Sequence, residues 1–292
     1  MTVWCFGSIN IDHFYRLGHL PAPGETLAAD SYRIELGGKG ANQSVAAALA
    51  GAEVRHIGAV GADGSAALAR MEGFGIACSA VQRLEGPTGH AVIMVDRAGE
   101  NAIVIHPGAN RELAVNPALQ ALSEADLGDI LLLQNETAHQ AALAEAAMGQ
   151  GMEVIYSAAP FDVEAVRAVM PFVNVLVVNA VEAAQLQEAL GLELEELPVE
   201  SVVVTRGGDG ASWLAGGTPE IHVSALPTKV VDTTGAGDCF TGVLAAALAE
   251  GQDPESAMRF AAAAAAIQVS RPGTSAAMPR RDEIEALLGE SG

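Results

Sequence analysis

Short apolar runs recur along the chain with amphipathic stretches between them. Val3-Trp-Cys-Phe-Gly7, Val54–Val60, Ile130–Gln134, Val154–Ser157, Val175–Val178 and Ser201–Thr205 are brief and rich in Val, Ile or Leu. Runs with apolar residues on both faces read as strands buried in a parallel sheet. Ser65–Glu72, Thr137–Met148, Val163–Val169 and Val181–Leu190 follow or separate them with apolar residues at helical spacing. This alternation predicts an α/β fold of right-handed βαβ units: a mostly parallel central sheet with helices on both faces. Ligands in such sheets bind beyond the carboxyl ends of strands, which gives the residue after each run special weight.

Two stretches break the alternation. From His13 to Leu36 the chain is irregular, with a Pro/Gly turn at Pro21–Gly24 and a strand-like Leu27–Leu36. His90–Asp96 and Asn101–His106 flank the polar turn Arg97-Ala-Gly-Glu100 and read as a hairpin. A helix is expected from about Ala41 to Ala50. Near the end come a helix reaching about Glu250, another over Pro254–Val269, a loop at Ser270–Ser275 and a last helix over Arg280–Leu288.

The densest chemistry lies in Val230-Val-Asp-Thr-Thr-Gly-Ala-Gly-Asp-Cys-Phe-Thr-Gly242. Two β-branched residues end in Asp232, a small-residue turn follows, and an Ala/Leu-rich helix begins with Asp238 near its first turn. Gly235 and Gly237 allow close backbone approach, and the free N–H groups of a helix start form an anion site. A carboxylate beside that site can take a proton from a hydroxyl attacking a phosphate. The same aspartates could simply cap the helix, and the stretch alone leaves both readings open. A dinucleotide fingerprint is excluded because the third glycine, Gly242, comes too late. No Gly-x-x-x-x-Gly-Lys-[Ser/Thr] loop occurs either.

Composition narrows the class. The 292 residues are half apolar, enough for a large core, and 15 Lys plus Arg against 36 Asp plus Glu give a net charge of −21. Such a field repels nucleic acid and anionic membranes, and local dipoles and Mg²⁺ must draw in any nucleotide. Cys5, Cys78 and Cys239 lack metal-ligand spacing and read as reduced thiols. Cys239 beside Asp238 is expected to be a small buried residue rather than a nucleophile. Met1 leads into Val3 without a basic start, and the apolar Phe260–Val269 is too short for a membrane span, so a soluble, cytoplasmic protein is expected.

The Val230–Gly242 stretch resembles the second signature of the ribokinase-like (pfkB-type) carbohydrate kinases. The first signature is matched by Gly37-Gly-Lys-Gly-Ala-Asn-Gln43, running into Ser44-Val-Ala-Ala-Ala. Gly7-Ser-Ile-Asn-Ile-Asp12 and Pro21-Ala-Pro-Gly-Glu-Thr26 are similar to the ribokinase branch, and the resemblance runs from Val3 to about Leu288. It implies a three-layer α/β core of residues 1–12, 37–89 and 107–292. Residues 13–36 and 90–106 would form a small β-sheet lid that covers the sugar and carries a homodimer contact. The implied reaction is ATP-dependent phosphorylation of the 5-hydroxyl of ribose. A nucleoside, deoxyribose or ketohexose kinase is the alternative within the family, and a catalytically silent sugar-binding regulator the alternative outside it.

The resemblance also implies roles. Asp238 is the base, and the Gly235, Ala236 and Gly237 amides form the anion hole. Asn10, Asp12, Gly38, Lys39, Asn42 and Glu136 hold the sugar, Asp12 accepting from two neighbouring hydroxyls. Asn179 and Glu182 order Mg²⁺ and phosphates through water, although Ala180 stands where the family often has glutamate. Thr205, Gly207 and Gly210 line the nucleotide. A monovalent cation, K⁺, would sit among Asp232, Thr234, Val269, Pro272 and Gly273. Ala277 stands where many relatives offer a serine.

Overall fold

Alternate residues of the first strand, β1 (Val3–Phe6), enter different cores: Val3 and Cys5 join one apolar cluster, Trp4 and Phe6 another. The next core strand in the sheet repeats the pattern, with Ile130 and Leu132 on one side and Leu131 and Leu133 on the other. Successive side chains of a strand point to opposite faces. Continuous apolar runs therefore demand helices above and below, and the computed structural model, which describes residues 1–290, has that arrangement.

The strands after β1 are β2 (Asn10–Arg16), β3 (Ser31–Gly37), β4 (Val54–Val60), β5 (Ala77–Arg83), β6 (Gly89–Val95) and β7 (Asn101–His106). Then follow β8 (Ile130–Gln134), β9 (Glu153–Ser157), β10 (Val175–Asn179), β11 (Ser201–Thr205), β12 (Ala211–Ala215) and β13 (Ile221–Val223). A nine-stranded sheet runs in the order β13-β12-β11-β10-β9-β8-β1-β4-β5, parallel except where β12 and β13 pair antiparallel at one end. The strand order reverses where β1 meets β8, a topological switch point at which a ligand crevice is expected. β5, β12 and β13 were not foreseen: they lie toward the sheet margins and lack the fully apolar signature of a central strand.

The second sheet has four strands in the order β3-β2-β6-β7. His13–Arg16, expected to be irregular, continues β2, and the expected strand over Leu27–Leu36 forms only from Ser31. β2 is half-buried, so the apolar run that marks a core strand is absent from it. Asn10 and Asp12 belong to this sheet, opposite Gly37 and Glu35 of β3.

The helix expected from Ala41 begins at Lys39 and runs to Leu49. Gly38 caps it with φ 88°, and a β-carbon on Gly40 would meet the Gly7 backbone at 2.5 Å. The first glycine thus supplies backbone freedom and the second close packing on β1. The helices Ala236–Ala249 and Pro254–Val269 bury their alanines in the same cluster as Val3 and Cys5. Among the described residues, no helix is long and apolar enough to cross a membrane.

Candidate active site

Two helices meet over the switch point. A β-carbon on Gly242 would stand 2.3 Å from the Gln43 carbonyl and 2.8 Å from the Ala46 β-carbon, so this glycine lets Ala236–Ala249 press onto Lys39–Leu49. The close approach carries two amides to Asp238. Asn42 Nδ2 donates to Oδ2 at 3.1 Å and Gln43 Nε2 donates to Oδ1 at 3.1 Å. Gln43 is held in turn by Gln134 Nε2, which donates to Gln43 Oε1 at 2.7 Å. Each carboxylate oxygen of Asp238 keeps a lone pair for a further donor. Gln43 and Gln134 went unrecognised in the sequence; only their positions beside Asn42 and at the end of β8 could have flagged them.

Lys39 belongs to the same group. The carboxylate of Asp238, followed by those of Glu136 and Glu182, raises the Lys39 pKa against the opposing effect of burial. Glu136, just beyond β8, accepts from the Lys39 backbone N–H at 2.9 Å and from the Ser8 hydroxyl through the same Oε2. Residues following β1 and β8 are thereby tied to the start of the Lys39–Leu49 helix, where the switch point places a ligand.

Asp12 lies on the lid side of this group. Burial, then the neighbouring charges of Glu136 and Glu35, pushes its pKa up to about 7. Its Oδ1 is buried without a hydrogen-bond partner, as is Oδ1 of Asn42. Asn10 is differently placed: its Oδ1 accepts from Asn110 Nδ2 at 2.8 Å, while Asn110 Oδ1 accepts from the Ile9 N–H at 3.0 Å. Asn110, missed in the sequence, therefore orients Asn10.

Gly235 caps the Ala236–Ala249 helix with φ 82°. The Ala236 N–H closes a turn on the Thr233 carbonyl at 3.2 Å, so it is the one expected anion-hole amide already engaged. The Gly237 N–H is among the helix-start donors that have no intrahelical acceptor. Ala236 and Gly237 line a cavity of about 500 Å³ together with Thr205, Gly207 and Gly210. Leu226 and Phe240 give it apolar surface. Thr205 pairs with Asn179 across β11 and β10. Asn179 and Glu182 form a capping box: Asn179 Oδ1 accepts from the Val181 and Glu182 N–H groups, and Glu182 Oε2 accepts from the Asn179 N–H at 2.8 Å. Cys239 is completely buried, and desolvation followed by the nearby Asp238 charge raises its thiol pKa, so it is no nucleophile.

The expected cation ligands are only partly brought together. Asp232 Oδ1 accepts from the Thr234 N–H at 2.9 Å and Oδ2 from the Gly273 N–H at 3.1 Å. Burial opposes the charge of Asp232, but these bonds and Arg33 leave its pKa below the ordinary value. Gln268 Nε2 donates to the Thr234 carbonyl at 2.7 Å and to the Gly273 carbonyl at 3.2 Å. The Val269 carbonyl accepts from the Val231 and Asp232 N–H groups, and Pro272 takes part in none of these bonds. The Gln268 amide thus stands between two of the carbonyls named for the expected K⁺ site.

The pfkB family carbohydrate kinase model matches residues 2–281. A ribokinase of Bacillus subtilis is 34% identical over 295 residues, covering 98% of this chain and 99% of that protein. The crystal structure of a ribokinase from Thermotoga maritima superposes with a TM-score of 0.88 at 35% identity, covering 99% of both chains. A ribokinase from Arabidopsis thaliana, solved with ribose and ATP, has a TM-score of 0.88 at 31% identity and covers 98% of each. With its two signature segments meeting at Asp238 and its full length matched by these relatives, the chain belongs to the pfkB family of ATP-dependent carbohydrate kinases.

Proposed function

We propose that this chain transfers the γ-phosphoryl group of ATP to the 5-hydroxyl of D-ribose. The observation that carries the reading is the pair of buried, unpaired acceptors Asp12 Oδ1 and Asn42 Oδ1, joined through Lys39 and Glu136 to the amide-clamped Asp238. Buried acceptors without donors are unfavourable, and a polyol supplies donors to both. The complex of the Arabidopsis relative with ribose and ATP supports ribose as that polyol.

Asp12, Asn10, Gly38, Lys39, Asn42 and Glu136 hold the sugar with its 5-hydroxyl toward Asp238. Asp238 removes the hydroxyl proton as the oxygen attacks the γ-phosphorus, and the bond to the leaving β–γ bridging oxygen breaks. The backbone amides of Gly235 and Gly237 and the Lys39 ammonium face the negative charge on the phosphoryl oxygens. Thr205, Gly207 and Gly210 border the nucleotide, whose base takes the apolar part of the cavity.

Asn179 and Glu182 would hold a magnesium ion through water, and the ion would supply charge neutralisation for the phosphates. No cluster of three His, Cys, Asp or Glu suited to a metal occurs among the described residues, which fits an ion arriving with the nucleotide rather than caged by protein. Glu182, close enough to affect Lys39, and Asn179 would hold its waters.

Residues 13–36 and 90–106 act as a lid whose closure excludes water, so that ATP is not hydrolysed. The lid also joins two copies of the chain. Its edge strand β7 exposes Ile103, Val104 and Ile105, and β3 exposes Tyr32 and Ile34. An exposed apolar strand edge is a template for pairing that a second copy would cover.

The test is ADP release measured over pentoses, hexoses and nucleosides. Ribose should give the highest kcat/KM, and the product should be ribose 5-phosphate. A preference for nucleosides would move the chain to another branch of the family.

A further inference from the structure

We propose that the side-chain amide of Gln268 takes the place of the monovalent cation in this protein, so that its anion hole is ordered without K⁺. The inference rests on the kinase reading above. Gln268 is completely buried in the last turn of the Pro254–Val269 helix. Its Nε2 spans the Thr234 carbonyl, at 2.7 Å, and the Gly273 carbonyl, at 3.2 Å. One carbonyl belongs to the turn that leads into Gly235–Gly237, the other to the loop after the Pro254–Val269 helix.

Asp232 binds the same two residues through their other backbone groups. Thr234 gives its N–H to Oδ1 and Gly273 gives its N–H to Oδ2. Thr234 and Gly273 are therefore each held through both backbone groups, N–H toward a carboxylate and C=O toward an amide N–H. A cation in this place would do the second half of that work by drawing the two carbonyls together. An amide donor does it with directional bonds and no added charge.

The orientation of the amide follows from its partners. Two carbonyl oxygens can only accept, so the nitrogen must face them; the reverse rotamer would set Oε1 against both. Oε1 consequently lies buried without a partner, an unfavourable placement set against the bonds of Nε2. A second feature agrees with the first. Ala277, buried in the same loop, presents a methyl group where the resemblance leads one to expect a serine hydroxyl. An amide donor is present at the two carbonyls and a hydroxyl ligand is absent from position 277, and both disfavour a cation. Gln268 acts through Thr234 and touches no reacting atom, so it is a positioning residue.

The experiment compares the full chain in potassium chloride and in tetramethylammonium chloride at equal ionic strength. Readouts are kcat and KM for ATP with ribose, the melting temperature of the ligand-free protein, and Tl⁺ binding by ²⁰⁵Tl NMR. For the unmodified protein the proposal expects no change in any of them with K⁺ and no bound Tl⁺. Gln268→Ala should lose roughly 10- to 100-fold in turnover through a misplaced anion hole. Gln268→Ala combined with Ala277→Ser should recover turnover in K⁺ and not in tetramethylammonium. Activation or stabilisation of the unmodified protein by K⁺ overturns the proposal, whether or not the variants fold. Tl⁺ bound by the unmodified protein and lost in Gln268→Ala also overturns it, because Oε1 would then be a cation ligand. Absence of ribose phosphorylation would sink the functional reading alone, since melting and Tl⁺ binding need no substrate.

Discussion

A β-carbon on Gly37 would stand 2.0 Å from Oδ2 of Asp12. The two residues lie on paired strands, with Gly37 opposite Asn10 and Asp12 opposite Glu35, and the missing side chain of one makes room for the carboxylate of the other. Gly37→Ala should therefore displace Asp12 and act like Asp12→Ala. Losing the acceptor leaves sugar hydroxyls unpaired, at about 1–3 kcal/mol each, so kcat/KM for ribose should fall by roughly 10²–10⁴ in both variants. ADP affinity, measured by titration, should be unchanged. If either variant phosphorylates ribose as well as the parent, Asp12 does not hold the sugar.

Asp12 should also impose a pH dependence. Its carboxyl is pushed up to about 7 by burial and by Glu136 and Glu35, and only the ionised form accepts from two hydroxyls at once. The KM for ribose should fall as pH rises through that value. Stability of the ligand-free protein should move the other way. The folded state holds the proton more tightly than the unfolded chain, whose carboxyl titrates near the ordinary 3.8, so this group's contribution declines as pH rises from there to about 7. Melting temperature against pH for Asp12→Asn should lack that decline; an identical profile in the variant would assign the effect elsewhere.

Asp238→Asn should lower turnover by roughly 10²–10⁴, the usual share of general-base catalysis. Sugar and nucleotide binding should be retained, although Asn42 or Gln43 must turn its amide over, since both now donate to the carboxylate. Full turnover in the purified variant would mean that another group takes the proton.

Gly242 is expected to matter although it touches no substrate. A methyl group there meets the Gln43 carbonyl and the Ala46 β-carbon, so Gly242→Ala must part the two helices. Overpacking of this kind costs about 1–3 kcal/mol, visible as a lower melting temperature. Turnover should fall more than binding, because the amides of Asn42 and Gln43 leave Asp238. A stable, fully active variant would show that the close approach is dispensable.

The lid contact predicts a change of mass. Val104→Glu places a charge on the exposed edge strand β7 and should convert a dimer to a monomer in light scattering after gel filtration. If the parent chain is already a monomer, the apolar edge serves another purpose.

Much of the core was legible in the sequence because a strand buried on both faces has to be apolar throughout. β4, β8 and β11 were bounded to the residue, and Asp238, Lys39 and Asn42 stood in signatures whose glycines announced close backbone contact. The half-open strands β2 and β3 were blurred, since one face met polar ligand space or solvent and the period of two was lost. Tertiary structure alone decided the partners. Gln43 and Gln134 became a clamp on Asp238 because Gly242 lets two helices, distant in sequence, meet at a β-carbon's width. Gln268 looked like one polar residue in an alanine-rich helix until folding brought the Thr234 and Gly273 carbonyls to its amide. Local sequence determines which backbone conformations and faces a segment favours. Which hydrogen-bonding groups face each other across the core depends on packing between segments far apart in the chain, and no spacing along it encodes that.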